Sequence, residues 1–152
     1  GPPGAVQSDD VAIAAADRAD WDRLYAGYAA FYQVTQTQAM RDTVWGWLLD
    51  PAHGLEALVV ESDGVLIGLA HFRAFAQPLS ASTGGYLDDL FVDPKARGAG
   101  AAAALLKAVA DVGRARGWTV ISWITAEDNA RARALYDRAA ELTKWVTYDI
   151  AL

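Results

Sequence analysis

Residues 92 to 106 read VDPKARGAGAAAALL, and this junction limits what the chain can become more than any other stretch. A hydrophobic run stops at Pro94 and a helical run begins across Gly98 and Gly100, with almost no side-chain bulk between them. About four backbone N–H groups at the start of any helix lack partners, and the aligned peptide dipoles add partial positive charge there. An anion as bulky as a diphosphate reaches those groups only if the first turn is bare, which Gly98, Ala99, Gly100, Ala101 and Ala102 provide. Arg97 adds a formal charge at the mouth. The plainer alternative is a good turn followed by a helix that packs close to a sheet. The glycines follow a proline-containing turn and an arginine, and no acidic residue ends a following strand at the spacing of a dinucleotide fold.

Element order follows from hydrophobic period. VAIAAA at 11–16 reads as a short strand, after which Trp21, Leu24, Tyr25, Tyr28, Phe31 and Tyr32 recur at helical spacing. A second helix is expected from about Gln36 to Leu49, with Met40, Val44, Trp47 and Leu48 on one face, ended by Asp50-Pro51 and Gly54. The period then changes to strands at 55–61 and 65–75, joined by a hairpin turn at Ser62-Asp63-Gly64. Residues 76–85 read as a loop. Beyond it come a strand at 86–92, a helix at about 98–116, a strand at 118–124, a helix at about 129–140 and a last strand near 145–151. Strands separated by helices imply parallel pairing, whereas the hairpin is antiparallel, so an α/β architecture with a mixed sheet covered by helices satisfies both.

Composition narrows the function classes. The chain has 152 residues, 53% of them hydrophobic, enough for one domain with a real core. The opening GPPG lacks a methionine and reads as a cloning remnant at 1–4, leaving one domain at 5–152. No apolar run approaches the roughly 18 residues of a membrane span, so the expectation is a cytoplasmic protein without a membrane partner. The absence of cysteine removes thiolate nucleophiles and thiolate metal sites. A net charge of −6 argues against nucleic-acid binding and suits a cationic small molecule or basic peptide.

Two motifs carry a family resemblance. Arg97, Gly100 and Ala102 match the pattern of Arg or Gln, two residues, Gly, one residue, then Gly or Ala, and Asn129, Ala132, Leu135 and Tyr136 in AEDNARARALYDRAA match a second. With both in this order, the chain resembles the GNAT superfamily of acetyl-CoA-dependent N-acetyltransferases from about Leu55 to Leu152. YLDDLFV and AEDN resemble its spermidine/spermine N-acetyltransferase branch and relatives acting on polyamines or basic protein tails. One departure is Ala140-Glu141 where the family has Gly-Phe, which obscures the path into the last strand.

The resemblance implies a GNAT-like, mostly antiparallel mixed sheet with a splayed parallel strand pair, flanked by about four helices. It assigns Leu90, Phe91 and Val92 to pantetheine and the thioester, and Gly98 through Ala103, including Ala99 and Ala101, to the pyrophosphate of acetyl-CoA as co-substrate, with no metal. A backbone N–H near Leu90 would face the oxyanion. Tyr136 becomes the general acid toward the departing thiolate, and Asn129, a helix cap in its own right, lies with Ala132 against the cofactor. Family members form dimers, and the homodimer expectation carries over without an interface.

For the base, Asp88 and Asp89 are neighbours on one strand, so their side chains are expected on opposite faces and only one views the cleft. The polyamine branch is acidic at the position of Asp88, which favours Asp88, acting through water; Asp89 is left to a turn or buried hydrogen bond. His71 reads as a satisfied structural residue, with a base role as the alternative, and His53 as an exposed turn residue. Trp21, Tyr25, Tyr28 and Tyr32 read as helix packing, although the family builds one acceptor wall from this region. Trp45, off the apolar face, is preferred over Trp47 for a substrate or dimer contact; Trp123 lines the cleft or the core. The function expected is acetyl transfer to a primary amine by direct attack; the alternative is a non-catalytic coenzyme A-binding sensor.

Overall fold

The computed structural model describes residues 7–98 and 100–152, with Gln7 to Ala12 described by backbone alone. Expectations for residues 1–4 and for Ala99 lie outside the described residues. Five strands form one sheet in the order β1-β2-β3-β4-β5, with β1 at Gln7–Ala12, β2 at Glu56–Ser62, β3 at Val65–Gln77, β4 at Ser82–Val92 and β5 at Ile121–Ser122. The first three pairings are antiparallel and β4 pairs β5 in parallel. Helices α1 (Arg18–Phe31) and α2 (Gln38–Leu49) precede the central hairpin, α3 (Ala101–Arg116) crosses from β4 to β5, and α4 (Ala130–Ala139) follows β5.

The sheet separates two cores. On one face Leu105, Ala108 and Val109, at helical spacing on α3, pack on Leu58, Val60, Ala70, Phe72 and Leu87. On the other, Trp21 and Leu24 of α1 and Trp45 of α2 pack on Val59, Leu69 and Phe91. Burying each such side chain stabilises by about 1.5–3 kcal/mol, so both faces hold the sheet. The β2–β3 hairpin turns at Asp63 (φ 52°) and Gly64 (φ 78°), a positive-φ pair that matches the twist of the flanking strands.

Several boundaries differ from the sequence expectation. The first strand lies at Gln7–Ala12 rather than 11–16, because Ala15–Asp17 already form a tight 3-10 turn into α1. Residues 76–85 are mostly strand rather than loop: Ala76 faces Thr83 and Gln77 faces Ser82 around a 3-10 turn at Pro78–Ser80. The glycines there serve close approach, since a Cβ on Gly85 would stand 2.5 Å from the Trp118 ring. Helix α3 begins at Ala101 rather than 98, because Gly98 (φ 92°) and Gly100 (φ 78°) are left-handed. The strand expected at 118–124 pairs only through Ile121 and Ser122. The last strand expected at 145–151 is not formed; residues 141–152 are exposed and adopt neither helix nor strand. They pair with no strand of the sheet.

Candidate active site

The site begins with a register fault. His71 faces Asp89 and Phe72 faces Leu87, so Asp88 is the extra residue of a β-bulge in β4. Alternation across the sheet slips by one at that point. Leu87 and Leu90, three apart, both pack on the α3 side, and Asp89 and Phe91 face α1 and α2. Asp88 and Asp89 therefore line the same cleft, correcting the expectation of opposite faces. The spacing Leu87-x-x-Leu90 was the signal for this, and it is visible in YLDDLFV.

Asp89 is anchored from three directions. The Trp21 indole N–H donates to His71 Nε2 at 2.9 Å, which leaves the imidazole proton on Nδ1, where it is donated to Asp89 Oδ2, also at 2.9 Å. The Tyr25 hydroxyl donates to the same oxygen at 2.9 Å, and the Tyr28 hydroxyl adds to the cluster. Burial alone would raise the Asp89 carboxyl, but the hydrogen bonds from His71, Tyr25 and Tyr28 outweigh it and hold the group below the usual aspartate value. Burial, with the negative charge of Asp89 second, raises Tyr25 and Tyr28 well above an ordinary phenol. Both nitrogens of His71 are committed, and the ring is fully buried; its place is under the site, not in it.

Asp88 stands differently. Its carboxylate meets Arg73 Nε at 3.1 Å, yet burial pushes its proton affinity above the usual value against the pull of that guanidinium. The two neighbours thus separate into a held anion and a carboxylate inclined to accept a proton. They line a cleft of about 520 Å³ together with Tyr25, Arg73 and Trp47. Trp47 stacks on His53 with ring centroids 4.7 Å apart and planes 7° from parallel. Trp45 is instead 7% exposed and packed on Trp21, whereas Trp47 is 42% exposed. The assignment of the two tryptophans is thereby reversed: the buried face of α2 runs through Val44, Trp45 and Leu48, about one residue round from the expected stripe. Sequence reading also passed over Arg73, which carries no motif.

Beyond Ser122 the chain parts from β4. The last pair is Tyr86 with Ser122, so residues from Leu87 onward face a gap. Before the bulge, the Gly85 N–H points across to Val120 O; after it, the Asp93 N–H points the other way, to Ile67 O. Amides two residues apart share a direction, so the bulge turns the Leu90 and Val92 N–H groups toward the gap. Their side chains and that of Phe91 remain packed in the two cores, leaving backbone as what this stretch offers.

At the far end of the gap lies the start of α3. Among the described residues no side chain caps it, and no described atom lies within 4 Å of where a Cβ on Gly98 or Gly100 would stand. Ala101 is buried while Ala102 and Ala103 line the open first turn, and the Arg97 guanidinium sits 5.4 Å over the Phe31 ring. This bare, uncapped turn fits a diphosphate. Opposite, Asn129 caps α4 by accepting from the Ala132 N–H at 3.3 Å, and its amide nitrogen donates to the Tyr32 hydroxyl at 3.3 Å. Tyr136 of α4 packs edge-on against Trp123 at 5.3 Å, and burial, with Tyr32 nearby, raises its hydroxyl above the ordinary phenol value. Tyr25, Tyr28 and Tyr32 form a row along α1, from Asp89 at one end to Asn129 at the other, with successive centroids 5.9 and 4.8 Å apart. Among the described residues no group of three His, Cys, Asp or Glu is placed to hold a metal ion, and no helix is long and apolar enough to cross a membrane.

Comparison with known proteins bears on this arrangement. Residues 21–140 match the family described as the acetyltransferase (GNAT) family. The D-amino-acid N-acetyltransferase HPA3 of Saccharomyces cerevisiae is 28% identical over 139 residues, covering 90% of this chain and 86% of the yeast protein. The crystal structure of a ribosomal-protein-alanine N-acetyltransferase from Brucella melitensis biovar Abortus 2308 superposes with a TM-score of 0.79 at 26% identity, covering 95% of this chain and 98% of the other. The aminoglycoside N-acetyltransferase AAC(6')-Iy, solved in complex with CoA, shares the fold with a TM-score of 0.77 at 20% identity, over 94% of this chain and 93% of that one.

Proposed function

Because this chain belongs to the GNAT family of acetyltransferases, we propose that it transfers an acetyl group from acetyl-CoA to a primary amine seated in the cleft of Asp88, Asp89 and Arg73. The observation that carries this reading is the gap between β4 and the chain beyond Ser122, which ends at the bare first turn of α3. Bound there, acetyl-CoA would supply an activated acyl carbon and a thiolate leaving group. The N–H groups of Ala101, Ala102 and Ala103, with the glycine turn at 98 and 100, hold the diphosphate, and Arg97 adds charge at the rim. Backbone at Leu90, Phe91 and Val92 lines the pantetheine arm. The Leu90 N–H donates to the carbonyl oxygen as negative charge develops on it.

Asp88 takes the proton of the attacking ammonium through water; its raised proton affinity suits that task better than the anchored carboxylate of Asp89. Asp89 supplies a fixed negative charge that draws the ammonium in. Tyr136 keeps its proton at neutral pH and delivers it to the departing sulfur. Asn129 and Ala132 hold the start of α4 so that Tyr136 faces the gap. Attack is direct, a route that the absence of a cysteine nucleophile fits.

The acceptor class follows from the charge balance of the cleft. A linear polyamine, the acceptor of the spermidine/spermine branch, wants several unpaired carboxylates. Here Arg73 offsets Asp88, and its side chain is 48% exposed, so its outer nitrogens can take a carboxylate. An amine that carries its own carboxylate, such as an amino acid, complements both signs, and the yeast relative's name points the same way. Thiol release measured across D- and L-amino acids, spermidine, a lysine-rich peptide and an aminoglycoside tests this. Faster turnover with amino acids supports the acceptor class, and a preference for spermidine overturns it. Binding of coenzyme A without turnover on any amine would make the chain a sensor, and loss of both would refute the cleft.

A further inference from the structure

Two tryptophans two residues apart on α2 have opposite fates: Trp45 is buried in the core, whereas Trp47 keeps 42% of its surface in water. The chain after Trp47 folds back onto the same spot. The Asp50 N–H donates to the Trp47 carbonyl at 3.2 Å, the His53 N–H donates to the Asp50 carbonyl at 3.0 Å, and the Asp50 carboxylate accepts from the Ala52 N–H at 2.9 Å. These steps of three residues return the exposed His53 imidazole onto the indole, with centroids 4.7 Å apart and planes 7° from parallel. The two rings are thereby held at one angle before any ligand arrives, which lowers the cost of ordering them on binding.

Both rings line the cleft that holds Asp88, Asp89 and Arg73. That cleft is divided by origin. Its charged groups stand on β3 and β4, whereas Val44 and Trp47 come from α2, and His53 and Leu55 from the turn that enters β2, across β3 from β4. Among the described lining residues, no lysine, glutamate or second arginine accompanies the apolar side. An ammonium and a carboxylate are matched by the charged side and fill only a small part of a cleft of about 520 Å³. Whatever group they carry must lie against indole, imidazole and leucine. A second formal charge placed there would lose water without gaining a partner.

We propose that the acceptor is an amino acid with an uncharged aromatic side chain, and that the stacked pair of Trp47 and His53 is the surface that selects it. This rests on the reading of the cleft as the amine site and adds the side chain to it. Aromatic rings meet offset or edge to face, and such contacts add to what burial of area alone supplies. Phenylalanine therefore gains over alanine while making the same ammonium and carboxylate contacts. Trp47 meets the acceptor away from the reacting nitrogen, so its effect falls on KM rather than on kcat.

The test compares kcat/KM for phenylalanine, alanine, lysine and aspartate, in D and L forms, in the parent and in Trp47→Ala, Trp47→Phe and His53→Ala. The parent is expected to favour phenylalanine over alanine by about 10-fold or more, through KM. Trp47→Ala should bring that ratio near one, Trp47→Phe should keep most of it, and His53→Ala should lower it by about threefold. Coenzyme A affinity within about twofold of the parent shows that each variant is folded. Equal use of phenylalanine and alanine, a preference for lysine or aspartate, or a ratio that survives Trp47→Ala would overturn the aromatic platform while leaving amino-acid acetylation standing. Absence of turnover on every amino acid would instead sink the reading of the cleft, and calorimetry of phenylalanine and alanine on the coenzyme A complex then judges the platform. Phenylalanine bound about 10-fold more tightly, with the difference lost in Trp47→Ala, supports it; equal affinities, or no binding of either, overturn it.

Discussion

Asp88 and Asp89 share a residue type and differ in what their neighbours donate to them. Asp89 accepts from His71 and Tyr25 at 2.9 Å, whereas Asp88 has one guanidinium and a half-buried seat. Replacing His71 with phenylalanine removes one of the donors to the Asp89 carboxylate and leaves the Trp21 indole N–H unpaired in the core, and is expected to cost about 3 kcal/mol by chemical unfolding. The pH dependence is signed as well. Because the folded value of Asp89 is depressed, its contribution is complete above the unfolded value of about 3.9 and is lost as pH falls through the lower folded value. Acid titration of the His71→Phe variant should therefore show a shallower loss of stability below pH 4 than the parent. At the alkaline end, Tyr25 and Tyr28 stay neutral beyond the range of an ordinary phenol, so absorbance at 295 nm should show a late rise that coincides with unfolding. Tyr136→Phe removes one proton donor and little else; turnover should fall by about 10- to 100-fold with coenzyme A affinity within about twofold. Unchanged turnover by stopped thiol assay would take the acid role from it.

At the scale of elements, the bulge in β4 organises the site. It brings two carboxylates to one face and turns the Leu90 amide into the gap, two effects of a single extra residue. Just before β4 and β5 part, Gly85 lies tightly under Trp118. Gly85→Ala forces backbone or ring to move and is expected to cost about 1–3 kcal/mol, read as a lower midpoint in denaturant at unchanged slope. Helix α3 makes the other demand. At Gly100, φ of 78° penalises any side chain, and bulk there would stand over the first-turn amides. Gly100→Leu should weaken coenzyme A binding by 10-fold or more by calorimetry; an unaltered dissociation constant would contradict the seat at α3.

The described chain is a sheet between two helical layers that ends at β5. The proposed cofactor gap lies on that side, where β5 is short and the chain beyond it leaves the sheet. Coenzyme A should raise the melting temperature in proportion to the logarithm of its concentration, reaching about 2.7 kcal/mol of added stability at 100 times the dissociation constant. A flat melting temperature under saturating ligand would count against cofactor binding altogether.

Sequence alone determined the element order as far as α4, the hairpin at Asp63-Gly64, the cap at Asn129 and the membership signalled by the two motifs, because each rests on neighbours in the chain: period, positive-φ residues and short spacings. It also marked the bare stretch at 98–102 as the run into α3, although the helix itself begins at Ala101 rather than 98. Which face of α2 is buried, which carboxylate is anchored, and that Arg73 and Trp47 share a cleft with Asp88 were decided only by tertiary structure, since a slip of one residue or a rotation of one helical position reverses each answer and nothing local penalises the error. The last strand has the same origin. Its pattern is written in residues 145–152, but a strand exists only where its backbone pairs with another edge, and among the described residues these pair with none.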